Sequence, residues 1–269
     1  MGRGIEGVVL KLLGADDYTL TVIDCAEITS GYWKVRFDLG GLLNDHPPHP
    51  AQWIRMWVPV CNATSAEGNG PLPAAGDVDE LRQRGYTIID TDPATNQGTI
   101  AFAIHDGPAP WWARRCQPGD TIHCTAMGSK NELPDDAADV AEWFYFGDTA
   151  SVPAISDLLQ ARPPHRDGEP APARVFLEQQ HDDDPDIPLP ILPGDTLTWL
   201  PRADVEPEQA EIVAAARAAV ADPGDGVRRF AWIHCDNKRT RCIAKIVKND
   251  WKLPRKTGFK QQAYWIDRD

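Results

Sequence analysis

Glu142-Trp-Phe-Tyr-Phe146 runs directly into Gly147-Asp-Thr-Ala-Ser-Val-Pro153. A compact aromatic strand meets a glycine, a short polar turn, and a proline suited to the first turn of a helix over 152–159. Open α/β sheets take their ligands at this kind of place, outside the carboxyl end of a first strand. A single glycine is not a GxGxxG fingerprint, so the turn alone does not specify a nucleotide. Downstream, Arg174-Val-Phe-Leu-Glu178 and Thr196-Leu-Thr-Trp-Leu200 read as further strands. Pro207 to Val220 reads as an alanine-rich helix with glutamates in its first turn, where the helix dipole favours them. Arg229–Ile233, a helix near Lys238–Val247 and a closing strand over Gln262–Ile266 complete the alternation. It predicts a mainly parallel sheet with helices on both faces, over 140–269.

The half before this stretch has a different rhythm. Tyr18–Asp24, Trp33–Phe37, Trp53–Val58, Tyr86–Ile89, Thr99–His105 and Thr121–Thr125 show period-two alternation and β-branched or aromatic enrichment. Six short strands with one helical interruption near Pro110–Cys116 predict a small antiparallel β-barrel over 1–134. Asn62–Asp77, rich in Gly, Pro, Ala and Ser, reads as a surface loop. The boundary between the halves falls near Leu133–Ala141.

Composition narrows the function. The chain has 269 residues, with 40 acidic and 27 basic side chains, for a net charge of −13. A hydrophobic content of 42% supports a real core. The acidity argues against a nucleic-acid binder, which needs basic surface to displace counterions. No apolar run approaches the ~20 residues of a membrane span. The opening segment is too short and interrupted for a secretory signal, which leaves a cytoplasmic expectation. Six cysteines form no CxxC pair, and the histidines are scattered, so no resident metal is expected.

Three strings carry chemistry. Arg84-Gly85-Tyr86-Thr87 offers a guanidinium fork for phosphate, an aromatic surface for a flat ring and a hydroxyl donor. Alternation sends Arg84 and Tyr86 to one face and Thr87 to the other. In His105-Asp-Gly107-Pro108-Ala109-Pro-Trp-Trp112 a strand ends at a Gly-Pro turn and a helix starts, exposing backbone N–H groups to an anion. The third is the Gly147–Pro153 turn with Asp148 and Thr149. Met127-Gly128-Ser129 closes the last barrel strand in a similar open loop.

The order of these strings resembles the siderophore-interacting protein family, a branch of the ferredoxin-reductase-like flavoproteins, over nearly the whole chain. The likeness also includes Gln117-Pro-Gly-Asp120, Phe176-Leu-Glu178 and Ala263-Tyr-Trp265. Gly2–Val8, Met127–Ser129 and Leu177–Asp183 look most like the flavin domain of mycobacterial siderophore ABC transporters. The resemblance implies a FAD-binding barrel, a nicotinamide-type domain and reduction of a ferric siderophore so that Fe(II) is released. It implies that Arg84, Gly85, Tyr86 and Thr87 hold the isoalloxazine, ribityl and pyrophosphate portions. His105, Gly107, Pro108, Ala109 and Trp112 would line the phosphate and adenosine side. Gly128, Ser129, Asp148, Thr149 and Tyr264 would close over the cofactor.

The implied electron donor is NAD(P)H or a ferredoxin, and a siderophore transporter is a further implied partner. The chain departs from the family where His234-Cys235-Asp236 stands in place of Ala-Gly-Glu, in the region a nicotinamide donor would approach. Two rival readings are a siderophore-binding flavoprotein without efficient turnover and a general flavin or ferredoxin reductase. Arg228 to Lys260 holds eleven Lys or Arg against two acids. From it, Lys252, Arg255, Lys256 and Lys260 are expected to line the substrate side and attract an anionic chelate.

Overall fold

The structure, a computed structural model, describes residues 16–60, 80–126, 133–165, 168–220, 224 and 226–266. The expected loop at 62–77 and the Gly128-Ser129 loop lie outside them. The chain forms two compact units, Met1–Asn131 and Glu132–Asp269.

The first unit is a closed six-stranded barrel. Its strands are β1 (Asp16–Thr29), β2 (Tyr32–Asp38), β3 (Trp53–Val60), β4 (Glu80–Asp92), β5 (Gln97–Ala103) and β6 (Thr121–Ala126), in the order β1-β2-β5-β4-β3-β6. Every described pairing in it is antiparallel. A short helix, α1 (Leu42–Asp45), follows β2, and α2 (Pro108–Ala113) follows β5. Inward residues such as Leu20, Val35, Phe37, Ile54, Met56, Ile100 and Phe102 form one buried cluster, and α2 seals it with Ala109, Trp111 and Trp112.

The second unit is a five-stranded parallel sheet of order β11-β10-β7-β8-β9. Its strands are β7 (Glu142–Asp148), β8 (Ala173–Gln179), β9 (Thr196–Pro201), β10 (Arg229–His234) and β11 (Phe259–Gln261). The helices are α3 (Val152–Gln160), α4 (Glu211–Ala218) and α5 (Asn237–Asn249). Burial of both sheet faces is why β10 is closed to solvent along its whole length. The chain order reverses between β7 and β10, which puts the switch-point crevice outside the carboxyl ends of those two strands.

Two expected elements differ. The closing strand is Phe259–Gln261 rather than Gln262–Ile266. Residues beyond it still follow β10, with the Gln262 and Tyr264 N–H groups donating to the carbonyls of Ile233 and Cys235 (both 3.0 Å). They pass the end of the β10 ladder, so they form a tail rather than a strand. The expected helix over 207–220 breaks at Ala210, whose extended backbone (φ −61°, ψ 140°) separates a 3-10 turn at Pro207–Gln209 from α4.

Candidate functional site

On the barrel, β4 pairs with β5 from Ile88 onward, so the segment before it has β3 as its strand neighbour. Tyr86 emerges there, half-buried, with its ring 4.6 Å from Phe102 at a 46° tilt. Burial raises the Tyr86 phenol above its usual range, against the pull of the Arg84 charge, so it remains a protonated donor. Arg84 is exposed, and its Nη1 donates to the Gln83 carbonyl (2.9 Å). Among the described residues its guanidinium meets no carboxylate. Arg84 and Tyr86 share a face, as alternation requires. Thr87 sits on the other, opposite Trp53 and 5% exposed.

The second string follows β5, the strand whose Phe102 meets the Tyr86 ring. His105 is exposed, and its Nδ1 lies 2.9 Å from the Asp106 carbonyl. A carbonyl only accepts, so Nδ1 carries the proton and Nε2 is left as an acceptor in the neutral ring. A Cβ at Gly107 would lie 3.0 Å from His105 Cε1, so glycine lets the imidazole rest against the turn. Pro108 and Pro110 have no N–H, and Trp111 N–H donates to Gly107 O (3.1 Å). Ala109 therefore carries the N–H nearest the open end of α2. Trp112 does not reach the surface. It is 2% exposed and stacked on Phe37 (centroids 6.2 Å apart, 12°), so its indole is barrel core and cannot wall a ligand. Exposed Arg84, half-open Tyr86 and the Gly107 turn fit a dinucleotide flavin: a cation for pyrophosphate, a ring face and close backbone approach.

The second unit gathers charge at the carboxyl ends of successive strands. Asp148 ends β7, Glu178 lies near the end of β8, Arg202 follows β9 and Asp236 follows β10. Asp148 is 1% exposed; its Oδ2 accepts from Trp265 Nε1 (2.7 Å) and its Oδ1 from Ser151 N–H (3.2 Å). Thr149, buried beside it, donates from Oγ1 to Gln180 Oε1 (3.5 Å). Gly147 permits this tight strand-to-helix turn. A Cβ there would strike Ser151 Oγ and come 2.5 Å from Ile155 Cδ1.

Glu178 accepts from Arg202 Nη1 (2.7 Å), and Arg239 Nε lies 2.9 Å from its other oxygen without hydrogen-bond alignment. Asp236 caps α5, accepting from the N–H groups of Lys238 (2.8 Å) and Arg239 (2.9 Å), and it also takes Arg239 Nη1 (3.0 Å). Arg202 bridges to Asp236 (3.4 Å) and lies over the Trp265 ring, 4.7 Å from its centroid. Three carboxylates thus face two guanidiniums. Burial pushes Glu178 up to about 7 against the pull of Arg202 and Arg239, with Asp148 and Asp236 adding like charge. Burial also raises Asp148. Asp236 is held low: burial opposes this, but the Arg239 N–H and guanidinium and the Lys238 N–H prevail. The network follows one rule that could have found it, a charged residue at or just beyond the end of an apolar strand.

The His234-Cys235-Asp236 departure is therefore a buried strand end followed by a helix cap. His234 is 1% exposed and held down to about 3 by burial, with the half-buried Tyr264 ring 5.2 Å away. The basic residues need a correction. The strands are parallel, so α5 leaves the carboxyl end of β10 and returns to the amino ends before β11 begins. Lys252, Arg255 and Lys256 are exposed there, at the opposite end of the sheet from the crevice, and do not line it. Lys260 lies within β11, its Nζ 5.5 Å from the centre of the buried Trp232 ring.

This pairing of an antiparallel barrel with a parallel-sheet unit is a ferredoxin–NADP reductase-like fold. A family model described as the siderophore-interacting FAD-binding domain matches residues 21–130, and one described as siderophore-interacting protein matches 140–268. The chain belongs to the siderophore-interacting protein family. Among its relatives, the mycobactin import ATP-binding/permease protein IrtA of Mycobacterium tuberculosis is 30% identical over 98% of this chain. The chain spans only 28% of the length of that protein. Ferric vibriobactin reductase ViuB of Vibrio cholerae is 28% identical over 69% of this chain and 68% of its own. The siderophore-interacting protein SipS from Aeromonas hydrophila superposes with a TM-score of 0.71 at 19% identity, covering 95% of this chain and 93% of that one. No described helix is long and apolar enough to cross a membrane.

Proposed function

We propose that the chain is a FAD-dependent ferric-siderophore reductase that releases iron as Fe(II) in the cytosol. The observation that carries the reading is the exposed Arg84 fork beside the half-open Tyr86 ring, within the part of the chain that matches a FAD-binding model. Arg84 binds the pyrophosphate, Tyr86 presents its ring to the flavin, and His105 with the Gly107–Ala109 turn holds the phosphate and adenosine side. Gly128 and Ser129 join this set as an expectation from sequence alone. Bound FAD supplies a two-electron acceptor able to pass on single electrons. Ferric iron arrives in its own chelate, and hard oxygen ligands hold Fe(II) far more weakly, so reduction is release.

The parallel-sheet unit suits a nicotinamide dinucleotide as donor. Its switch point lies at β7 and β10, and Gly147 gives the close strand-to-helix turn such ligands need. The test is spectroscopic and catalytic. Purified protein should bind FAD and, with NAD(P)H or reduced ferredoxin, generate Fe(II) from a ferric siderophore, read with a ferrous-specific dye. A colourless protein that takes up no FAD and reduces no ferric chelate overturns the proposal.

A binding protein without turnover is the second reading. The Trp265 indole, pinned between Asp148 and Arg202 at the strand ends, favours it. Stopped-flow mixing separates the two. An oxidised flavin spectrum that survives NADH, NADPH and reduced ferredoxin supports the binding reading.

A further inference from the structure

We propose that the parallel-sheet unit selects a donor whose adenosine ribose keeps a free 2′-hydroxyl, NADH over NADPH. This choice rests on the donor reading above. In an open sheet with this strand order, the end of the second strand meets the adenosine ribose. An acidic residue there suits a ribose diol, and an available arginine suits a 2′-phosphate. In this unit the second strand is β8, whose end is acidic. Glu178 is buried there against Arg202 and Arg239, and the loop that follows carries the exposed Asp182 and Asp186. The third strand is β9, followed at once by Arg202.

Arg202 is already engaged. One terminal nitrogen is 2.7 Å from Glu178, the other 3.4 Å from Asp236, and the plane covers Trp265 at 4.7 Å. Taking a phosphate would strip a buried carboxylate of its partner. No substitute cation is nearby in sequence, because between Arg174 and Arg202 the chain has no lysine or arginine. The loop leaving β8 is instead His181-Asp182-Asp183-Asp184-Pro185-Asp186.

This loop is folded back onto its own strand end. Buried Asp184 accepts from the N–H groups of Gln180 (2.7 Å) and His181 (2.9 Å). Asp182 and Asp186 are exposed on it. A doubly charged phosphate would arrive among like charges, which repel it at short range. The exposed Gln180, beside Thr149, offers an uncharged amide suited to hydroxyl groups.

The test uses the flavin-loaded full chain. Calorimetric titration compares ADP-ribose with its 2′-phosphorylated analogue, and anaerobic bleaching of the flavin compares NADH with NADPH. The 2′-phosphorylated analogue should bind at least roughly tenfold more weakly, as like-charge repulsion requires. The gap should narrow in Asp182→Asn/Asp186→Asn and at high salt, which screens exposed charge. Equal or tighter binding of the phosphorylated analogue overturns the proposal and leaves the donor reading intact. So does a gap indifferent to both the substitutions and salt. If neither analogue binds and neither donor bleaches the flavin, the dinucleotide reading falls and the selectivity with it.

Discussion

Replacing Glu178 with Gln should flatten the pH dependence of stability between about pH 5 and pH 8. Glu178 is 1% exposed, and its carboxyl is raised from an ordinary 4.5 to about 7, first by burial. A carboxyl raised in the folded state favours folding below its unfolded value and loses that contribution as pH rises through the folded one. The interval from 4.5 to about 7 corresponds to about 3 kcal/mol, lost as the proton leaves. Gln mimics the protonated form and cannot ionise, so the variant should match the wild type most closely near pH 5. By pH 8 the comparison should move in the variant's favour by up to about 3 kcal/mol. Urea unfolding followed by tryptophan fluorescence at stepped pH measures this. Parallel stability curves for the two proteins would refute the reasoning. A slope that persists in Glu178→Gln but vanishes in Asp148→Asn would place the proton on Asp148 instead, and so refute the assignment to Glu178.

Three other substitutions test the two sites. Arg84→Ala should weaken FAD binding by about ten- to a hundredfold, the loss of a charge-assisted contact, with partial rescue by Lys; flavin fluorescence titration reads it, and unchanged affinity removes the assigned role. Gly147→Ala should cost about 1–3 kcal/mol by driving a methyl into Ser151 and Ile155; a thermal midpoint equal to wild type would show that the turn can relax. Trp265→Phe keeps a ring beneath Arg202 but deletes the N–H on buried Asp148. It should cost about 1–3 kcal/mol in denaturant titrations, and equal stability would mean that the tail is not anchored there.

Alternation made the barrel legible, because β2, β3, β5 and β6 place apolar residues inward at every second position. It missed the first half of β4, where Leu81 is the one apolar side chain between Glu80 and Gly85 and no period marks a strand. Pairing with β3 holds that segment extended, and so carries Arg84 to the surface. Trp112 departs from what the resemblance implies: in a six-residue helix sealing a small barrel its ring turns inward and stacks on Phe37. The basic residues at 252–256 show what sequence distance cannot convey. They directly precede the last strand, yet whether that places them at the crevice depends on strand direction, and parallel pairing of β11 with β10 puts them at the far end.

The charged strand ends follow from the sheet itself. A parallel strand buried on both faces has no solvent side, so its polar chemistry concentrates where the ladder stops. Asp148, Glu178 and Asp236 each stand at or just past such a stop, Arg202 follows the partly exposed edge strand β9, and each was visible in the sequence as a charge at the end of a strand-like run. Their pairing was not visible, because it joins four strands across nearly ninety residues. Arg202 decides what the pairing means. With a free guanidinium, this end of the sheet would attract phosphate. With both terminal nitrogens on carboxylates and its plane on Trp265, the same residue closes a network that carries one excess negative charge when all three acids are ionised. The acidic loop after β8 extends that sign outward, and this run of negative charge is the physical ground for the proposed preference for a free 2′-hydroxyl over a 2′-phosphate.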